Sequence, residues 1–237
     1  MKIALIGYGA MGKLIKTLAE NKNHEVAVII DESDAELSAA KLAEKLKDVD
    51  AAIDFSVADA VKRNVEACLI ADVPLVEGTT GWNAEKKNIK KLVEEKRGAF
   101  VFGANFSIGV NLFYKIADYA SELFSKFQDY EPFIEEQHHS RKRDAPSGTA
   151  LKLKEIVGKN SKKDCSISST RAGHIPGTHR IGFDGNADQI LLEHSARSRE
   201  GFASGAILAA EWICGRKGFY EFTDAMDEIL GEKPGKN

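Results

Sequence analysis

Three cysteines in 237 residues, Cys68, Cys165 and Cys214, are odd in number and widely separated, so a disulfide framework is not indicated. They form no Cys-x-x-Cys pair, and His24, His174, His179 and His194 are scattered without metal-ligand spacing, so no metal is expected and these histidines read as structural or surface groups. A dominant charge is also missing. A net charge of −3 with 29% charged residues gives no general basic surface, which removes the electrostatic support for nucleic-acid binding. No apolar run approaches the roughly 20 residues that cross a bilayer. The opening Met1-Lys2-Ile3-Ala4-Leu5-Ile6-Gly7 has too short an apolar core for a secretory signal. The expectation is a cytoplasmic protein with neither membrane nor nucleic-acid partners, long enough for one large domain or two modest ones.

What is present begins with a short β-favouring run, residues 2–6, followed by Gly7-Tyr8-Gly9-Ala10-Met11-Gly12 and then Leu14, Ile15 and Leu18 at helical spacing. This is Gly-x-Gly-x-x-Gly between a strand and a helix. Gly7 permits the tight turn, Gly9 lets a pyrophosphate approach the backbone, and Gly12 lets the helix sit close to the strand. A second β-run, residues 25–30, ends at Asp31, at about the 20-residue distance where an acid meets the ribose of a dinucleotide. Glu32 follows, and two adjacent carboxylates repel a 2′-phosphate, so NADH is favoured over NADPH. Lys13 offsets part of that repulsion and keeps dual use open. A glycine-rich turn in some other α/β unit is the competing reading.

The alternation continues. Residues 35–46 have helical composition, 51–55 read as a buried strand, 57–71 as a helix, 74–76 as a short strand, and 99–102 as a fifth strand after a helix capped by Asn83. Repeated β-α implies a parallel sheet. Gly78-Thr79-Thr80-Gly81 and Gly103-Ala104-Asn105-Phe106-Ser107 follow successive strands, where open α/β sheets bind ligands. From Ile108 the pattern becomes one long helix with Phe113, Ile116, Ala117, Ala120, Leu123, Phe124 and Phe127 on a face expected to be core, and a domain boundary is placed near its start. Beyond it, residues 130–135, 165–171, 179–183 and 189–196 read as strands of a mainly antiparallel sheet, with residues 158–164 a polar loop. Residues 202–212 and 222–230 are apolar helices that can return to cover the first sheet.

Residues 136–151, Glu-Gln-His-His-Ser-Arg-Lys-Arg-Asp-Ala-Pro-Ser-Gly-Thr-Ala-Leu, connect a strand to a helix. Ser147 is a good N-cap, so the start of that helix at Gly148, Thr149 and Ala150 suits an anion. If Lys142 and the histidines fold back towards it, a carboxylate and a proton-exchanging imidazole share one place. A basic surface loop ahead of an ordinary capped helix is the bland alternative.

Residues 7–12, Asp54-Phe55-Ser56, 78–81, Ala104-Asn105-Phe106-Ser107-Ile108-Gly109-Val110-Asn111, His138-His139 with Lys142, and Asp144-Ala145-Pro146-Ser147-Gly148-Thr149-Ala150 together resemble the 4-hydroxy-tetrahydrodipicolinate reductase family. The resemblance runs through the whole chain. It implies the NAD(P)H-dependent reductase of the diaminopimelate route to lysine, acting on a small dicarboxylate. It also implies a Rossmann-type α/β dinucleotide-binding domain made of residues 1–108 and 200–237, an α+β substrate and oligomerisation domain of residues 109–199, and usually a homotetramer. Carried over, His138 is similar to the proton donor and acceptor and Lys142 to the second catalytic residue. His139, Gly148 and Thr149, with Ser147, resemble substrate-carboxylate contacts. Gly78 to Thr80 and Gly103 to Phe106 resemble the nicotinamide loops, Asp31 the ribose ligand, and Arg199 an arginine reaching the cofactor's side. The chain is shorter than many members between Asp31 and Asp54, and some relatives carry a longer glycine loop and an arginine where Glu32 stands. Another small amino-acid dehydrogenase, or a silent dinucleotide sensor, shares the Rossmann half but leaves residues 138–149 unexplained.

Overall fold

The computed structural model describes residues 1–161 and 163–231. Residue 162 of the expected polar loop and residues 232–237 of the expected first domain lie outside the described residues. In chain order the elements are β1 (Lys2–Ile6), α1 (Ala10–Asn21), β2 (Glu25–Ile30), α2 (Ala39–Lys45), β3 (Ala51–Asp54), α3 (Val61–Ala71), β4 (Leu75–Glu77), α4 (Lys86–Glu95) and β5 (Ala99–Phe102). They continue with α5 (Ile108–Phe124), β6 (Glu131–His138), α6 (Gly148–Asn160), β7 (Ser166–Arg171), β8 (Thr178–Asp184), β9 (Gln189–Ser195), α7 (Glu200–Ile213), β10 (Gly218–Glu221) and α8 (Phe222–Ile229). The chain divides into two compact units, Met1–Ile108 with Glu200–Asn237, and Gly109–Arg199.

The first unit holds a six-stranded parallel sheet in the order β10-β5-β4-β3-β1-β2. Both faces are covered, which a parallel sheet requires. Ile3, Leu5, Ile53, Val76 and Val101 point to one face with α1, α7 and α8; Ala4, Ile6, Ala52, Leu75 and Phe100 point to the other with α2, α3 and α4. The strand order reverses at β1, so the loops after β1 and β3 flank a topological switch point, the usual ligand crevice of such sheets.

Several boundaries differ from the sequence reading. Of residues 35–46 only Ala39–Lys45 are α-helical: a 3-10 turn at Glu32–Asp34, capped by Asp31 accepting from the Ser33 amide, precedes them, and Ser38 then caps α2. The stretch 57–71 likewise opens as a 3-10 turn, Ala58–Ala60, before α3. Asn83 caps nothing. It starts another 3-10 turn, Asn83–Glu85, and α4 begins only at Lys86. Strand β10 was not foreseen, because four residues between two helices carry too little periodicity to stand out.

The second unit is a sheet in the order β7-β6-β8-β9, in which only β6 and β7 are parallel. Its core joins Phe113 and Ala117 of α5, Ile134 of β6, Ala150, Leu153, Ile156 and Val157 of α6, and Ile181 and Phe183 of β8. The long apolar face of α5 is only half core. Ile116, Leu123 and Phe127 are exposed at 53, 40 and 61%, because α6 and the sheet reach only the Phe113–Ala117 side of the helix. Helix α6 runs three residues into the expected loop and ends at Asn160, whose side-chain amide donates to Asp118 Oδ1 at 3.0 Å and Ser121 Oγ at 2.9 Å, tying it to α5.

Candidate active site

In the first unit the glycine loop has the form its spacing predicts. Gly7 adopts φ +87°, and a Cβ there would lie 2.5 Å from the Phe55 carbonyl oxygen; a Cβ at Gly12 would lie 2.2 Å from the Gly7 oxygen. Gly9, by contrast, faces open space, and it precedes α1 with no side chain capping the helix. An open approach to an uncapped helix start fits a pyrophosphate. Tyr8 lies beneath Lys13, whose Nζ is 5.9 Å from the ring centroid, while Ala10 and Met11 open α1. Asp31 Oδ1 accepts from the Ser33 amide at 2.9 Å and hydroxyl at 2.7 Å, and these bonds hold its carboxyl below the usual range, so it is charged. Glu32 beside it is exposed.

In the loop after β4, Thr79 is already engaged: its amide donates to Glu77 Oε1 at 2.7 Å, its hydroxyl accepts from the Ser56 amide at 3.0 Å, and its carbonyl accepts from Trp82 Nε1 at 2.8 Å. Gly78 is half-buried against Phe55, and Thr80 is exposed. After β5, Asn105 Oδ1 accepts from the Ser107 amide at 2.8 Å, Gly103 and Ala104 carry no bulk, and Phe106 is buried against Phe55 and Phe222. Phe106 therefore offers only main chain to a ligand.

In the second unit, alternation along β6 turns Ile134, Glu136 and His138 to the buried face. Strand pairing sets His179 of β8 opposite Glu136 and Arg171 of β7 opposite His138. His138 Nδ1 lies 2.6 Å from Glu136 Oε2, while Glu136 Oε1 accepts from Arg171 Nη2 at 2.6 Å and from the Ser147 amide at 3.3 Å. Burial pushes the Glu136 carboxyl up, but Arg171, Ser169 and Ser147 with His138 outweigh it and hold it at about 2. Burial lowers His138 against the opposing pull of Glu136, with Lys142 and Arg171 lowering it further. His179 is pushed down to about 4 by burial and then by His138.

Ser147 caps α6 as its residue type predicts: Oγ accepts from the Ala150 amide at 3.2 Å, and it lies 3.1 Å from His179 Nε2. Gly148 is exposed at the helix start, and the Thr149 hydroxyl reaches Tyr114. Half-buried Lys142 pairs with Asp144 at 2.8 Å, and its amide bonds the His139 carbonyl at 3.1 Å. Glu136, His138 and His179 offer donor atoms within 4.8 Å of one another, a spacing that would suit a cation. Glu136 Oε1 is held by Arg171 and Ser147 and Oε2 lies against His138 Nδ1 as a close charge contact, so the set reads as a proton-handling network.

Comparison with known proteins follows this division. A family model described as the N-terminus of dihydrodipicolinate reductase matches residues 1–106, and one described as its C-terminus matches residues 109–226. The chain belongs to the dihydrodipicolinate reductase family. The 4-hydroxy-tetrahydrodipicolinate reductase of Christiangramia forsetii is 34% identical, covering 97% of this chain and 99% of that one. The same-named protein of Archaeoglobus fulgidus is 34% identical, covering 96% and 100%. The fold is shared with a dipicolinate-bound dihydrodipicolinate reductase of Paenisporosarcina, at TM-score 0.79 and 23% identity over 94% of this chain and 98% of that one.

For a dihydrodipicolinate reductase, the second unit thus gathers His138, Lys142 and Ser147 near one strand end. Arg199 is exposed in the turn before α7. His179, read from sequence as structural or surface, is not at the surface: it is buried beside His138, with ring centroids 5.0 Å apart. Glu136 and Arg171 were missed as well. The alternation Ile134, Glu136, His138 was the available signal for Glu136; for His179 and Arg171 only strand register brings them in.

Proposed function

We propose that this chain reduces 4-hydroxy-tetrahydrodipicolinate to tetrahydrodipicolinate with NAD(P)H, a step of the diaminopimelate route to lysine. The observation that carries the reading is buried His138, with Nδ1 against Glu136 and Nε2 beneath Gly177, at the end of the strand that leads to the Ser147-capped helix. Bound dinucleotide supplies hydride. Gly7, Gly9 and Gly12 with the start of α1 would hold its pyrophosphate, Asp31 its ribose, and the loops at Gly78 to Thr80 and Gly103 to Phe106 its nicotinamide end. Asp31 and Glu32 favour NADH over NADPH by charge.

Because Nδ1 is committed to Glu136, Nε2 of His138 is the atom left to give a proton to the substrate as it gains electrons. A Cβ at Gly177 would stand 3.2 Å from that nitrogen, so glycine keeps it open. The Lys142 ammonium offsets negative charge building on the substrate. The start of α6 at Gly148 and Thr149, capped by Ser147, receives a substrate carboxylate at the positive helix end, with His139 as a further carboxylate contact by family likeness.

Edge strand β9 exposes Ile190 and Leu191 at 41 and 50%, which supports assembly of copies, a homotetramer by family likeness. No helix among the described residues is long and apolar enough to cross a membrane, in keeping with a cytoplasmic enzyme. The test is consumption of NADH and NADPH with substrate generated in place by the preceding synthase. Turnover with either supports the reading; a folded, dinucleotide-binding protein with no turnover overturns it.

A further inference from the structure

Asp54 and Glu77 end β3 and β4 as register partners on adjacent strands, and both are completely buried. The mechanism uses neither. Their strand neighbours are Ile6 and Phe102, and Cys68 of α3 is a third titratable side chain facing them. No ion pair to either carboxyl forms among the described residues. Arg63 acts only through Asn64, whose Oδ1 accepts from the guanidinium at 3.3 and 3.2 Å and whose Nδ2 donates to Asp54 Oδ2 at 2.7 Å.

Asp54 Oδ1 accepts from the Ser56 amide at 2.8 Å and the Thr79 hydroxyl at 3.4 Å. Glu77 Oε1 accepts from the Thr79 amide at 2.7 Å, whereas Oε2 meets no N–H or O–H donor among the described residues. The carboxyl beside it is that of Asp54, its register partner, and Thr79 bonds both groups. Two buried carboxylates side by side repel, and one proton between them turns the repulsion into a hydrogen bond.

We propose that Glu77 donates one shared proton to the Asp54 carboxylate, and that this acid–carboxylate pair fixes the loops after β3 and β4 in the form that receives the dinucleotide. The inference rests on the reading of those loops as the nicotinamide side of the cofactor site. Contacts between the loops give the pair its reach. The Ser56 amide touches both Asp54 and Thr79, and a Cβ at Gly78 would lie 2.2 Å from the Phe55 ring. Phe55 also abuts Gly7, so a shift of either carboxyl moves strips that touch the glycine loop. Burial raises both carboxyls; Asp54 accepts from three donors, the Ser56 amide, the Asn64 side chain and the Thr79 hydroxyl, and Glu77 from the Thr79 amide alone, so the negative charge is better held at Asp54 and Glu77 is the member that keeps the proton. Burial, with both carboxyls adding, also raises Cys68, which stays a thiol beside them.

The test measures NADH dissociation constants on the full chain from about pH 6 to about pH 10, with carbon-13 spectra of protein labelled at the glutamate carboxyl. Wild-type binding is expected to weaken towards alkaline pH as the proton leaves. Glu77→Gln, whose amide N–H replaces the acid O–H, should bind within about threefold of wild type at neutral pH and lose the alkaline weakening. Asp54→Asn sets a donor against the Asn64 amide and should weaken binding about tenfold, with kcat at saturating dinucleotide little changed. One glutamate carboxyl should remain protonated at neutral pH and vanish in Glu77→Gln. An alkaline limb that persists in Glu77→Gln, wild-type affinity in Asp54→Asn, or no protonated glutamate would overturn the proposal. Wild-type protein that binds neither NADH nor NADPH would instead overturn the cofactor reading, with the carboxyl spectrum still deciding whether the pair shares its proton.

Discussion

His138 and Glu136, two residues apart on one strand, meet at 2.6 Å between Nδ1 and Oε2, and that contact fixes which nitrogen of the imidazole faces outward. It also opposes the burial that lowers His138. Replacing Glu136 by Gln removes the opposing charge, so His138 should lose its proton at lower pH. The alkaline fall in kcat is then expected to move to lower pH, with kcat reduced about tenfold or more at neutral pH. A pH profile of kcat checks this; an unmoved limb would place the titrating group elsewhere.

Replacing His138 itself by Gln removes the proton donor while keeping a similar shape. The loss in kcat should be about 10²- to 10⁴-fold, with dinucleotide binding unchanged. Steady-state kinetics with saturating cofactor, alongside a binding titration, separates the two.

Ser147→Ala deletes the hydroxyl that caps α6 and touches His179. The cost should be about 1 kcal/mol of stability. KM for the dicarboxylate should rise more than kcat falls, because the helix start binds an anion and moves no proton. Thermal melts and substrate titration read each part.

Glu32→Arg exchanges a repulsive charge for an attractive one next to Asp31. The ratio of kcat/KM for NADPH over NADH should increase by about tenfold or more. Parallel assays with the two cofactors measure it, and the effect should shrink with added salt.

Acid should weaken the second unit in two stages. His179 is held down at about 4, below its ordinary 6.5, so the folded state prefers it neutral; the stability this gives is complete above 6.5 and is lost as pH falls towards 4. Glu136 is held at about 2, below its ordinary 4.5, so its contribution is complete above 4.5 and is lost as pH falls towards 2. Melting temperature against pH should therefore drop in both windows. His179→Gln should shrink the upper drop, leaving the share of His138 and His194, and leave the lower.

Residue type and spacing made much of this protein legible in sequence. Gly7 and Gly12 between a strand and a helix fix a turn that few other residues can make, and Ser147 caps the helix its position announces, because both are governed by backbone conformation within a few residues. The same local rules explain why β10 and the 3-10 turn at Asn83 escaped notice: four residues carry little pattern, and a capping residue competes with the turn next to it. Periodicity showed the stripe on α5 but not its depth, since Ile116 and Leu123 lie off the Phe113–Ala117 side and stay 53 and 40% exposed.

By itself the sequence determined the alternating α/β plan, the family likeness and the identity of the histidine and lysine that carry the proposed chemistry. Tertiary structure alone decided the company they keep. Arg171 and His179 reach Glu136 and His138 through strand register across 33 to 43 residues of chain, written in the pairing of β6 with β7 and β8. Asp54 and Glu77 likewise become one proton-sharing pair only because β3 and β4 lie side by side with both carboxyls on the buried face. Long-range register depends on the packing of whole sheets, whereas turns and caps depend on a few neighbouring residues, and that is why one was readable in sequence and the other was not.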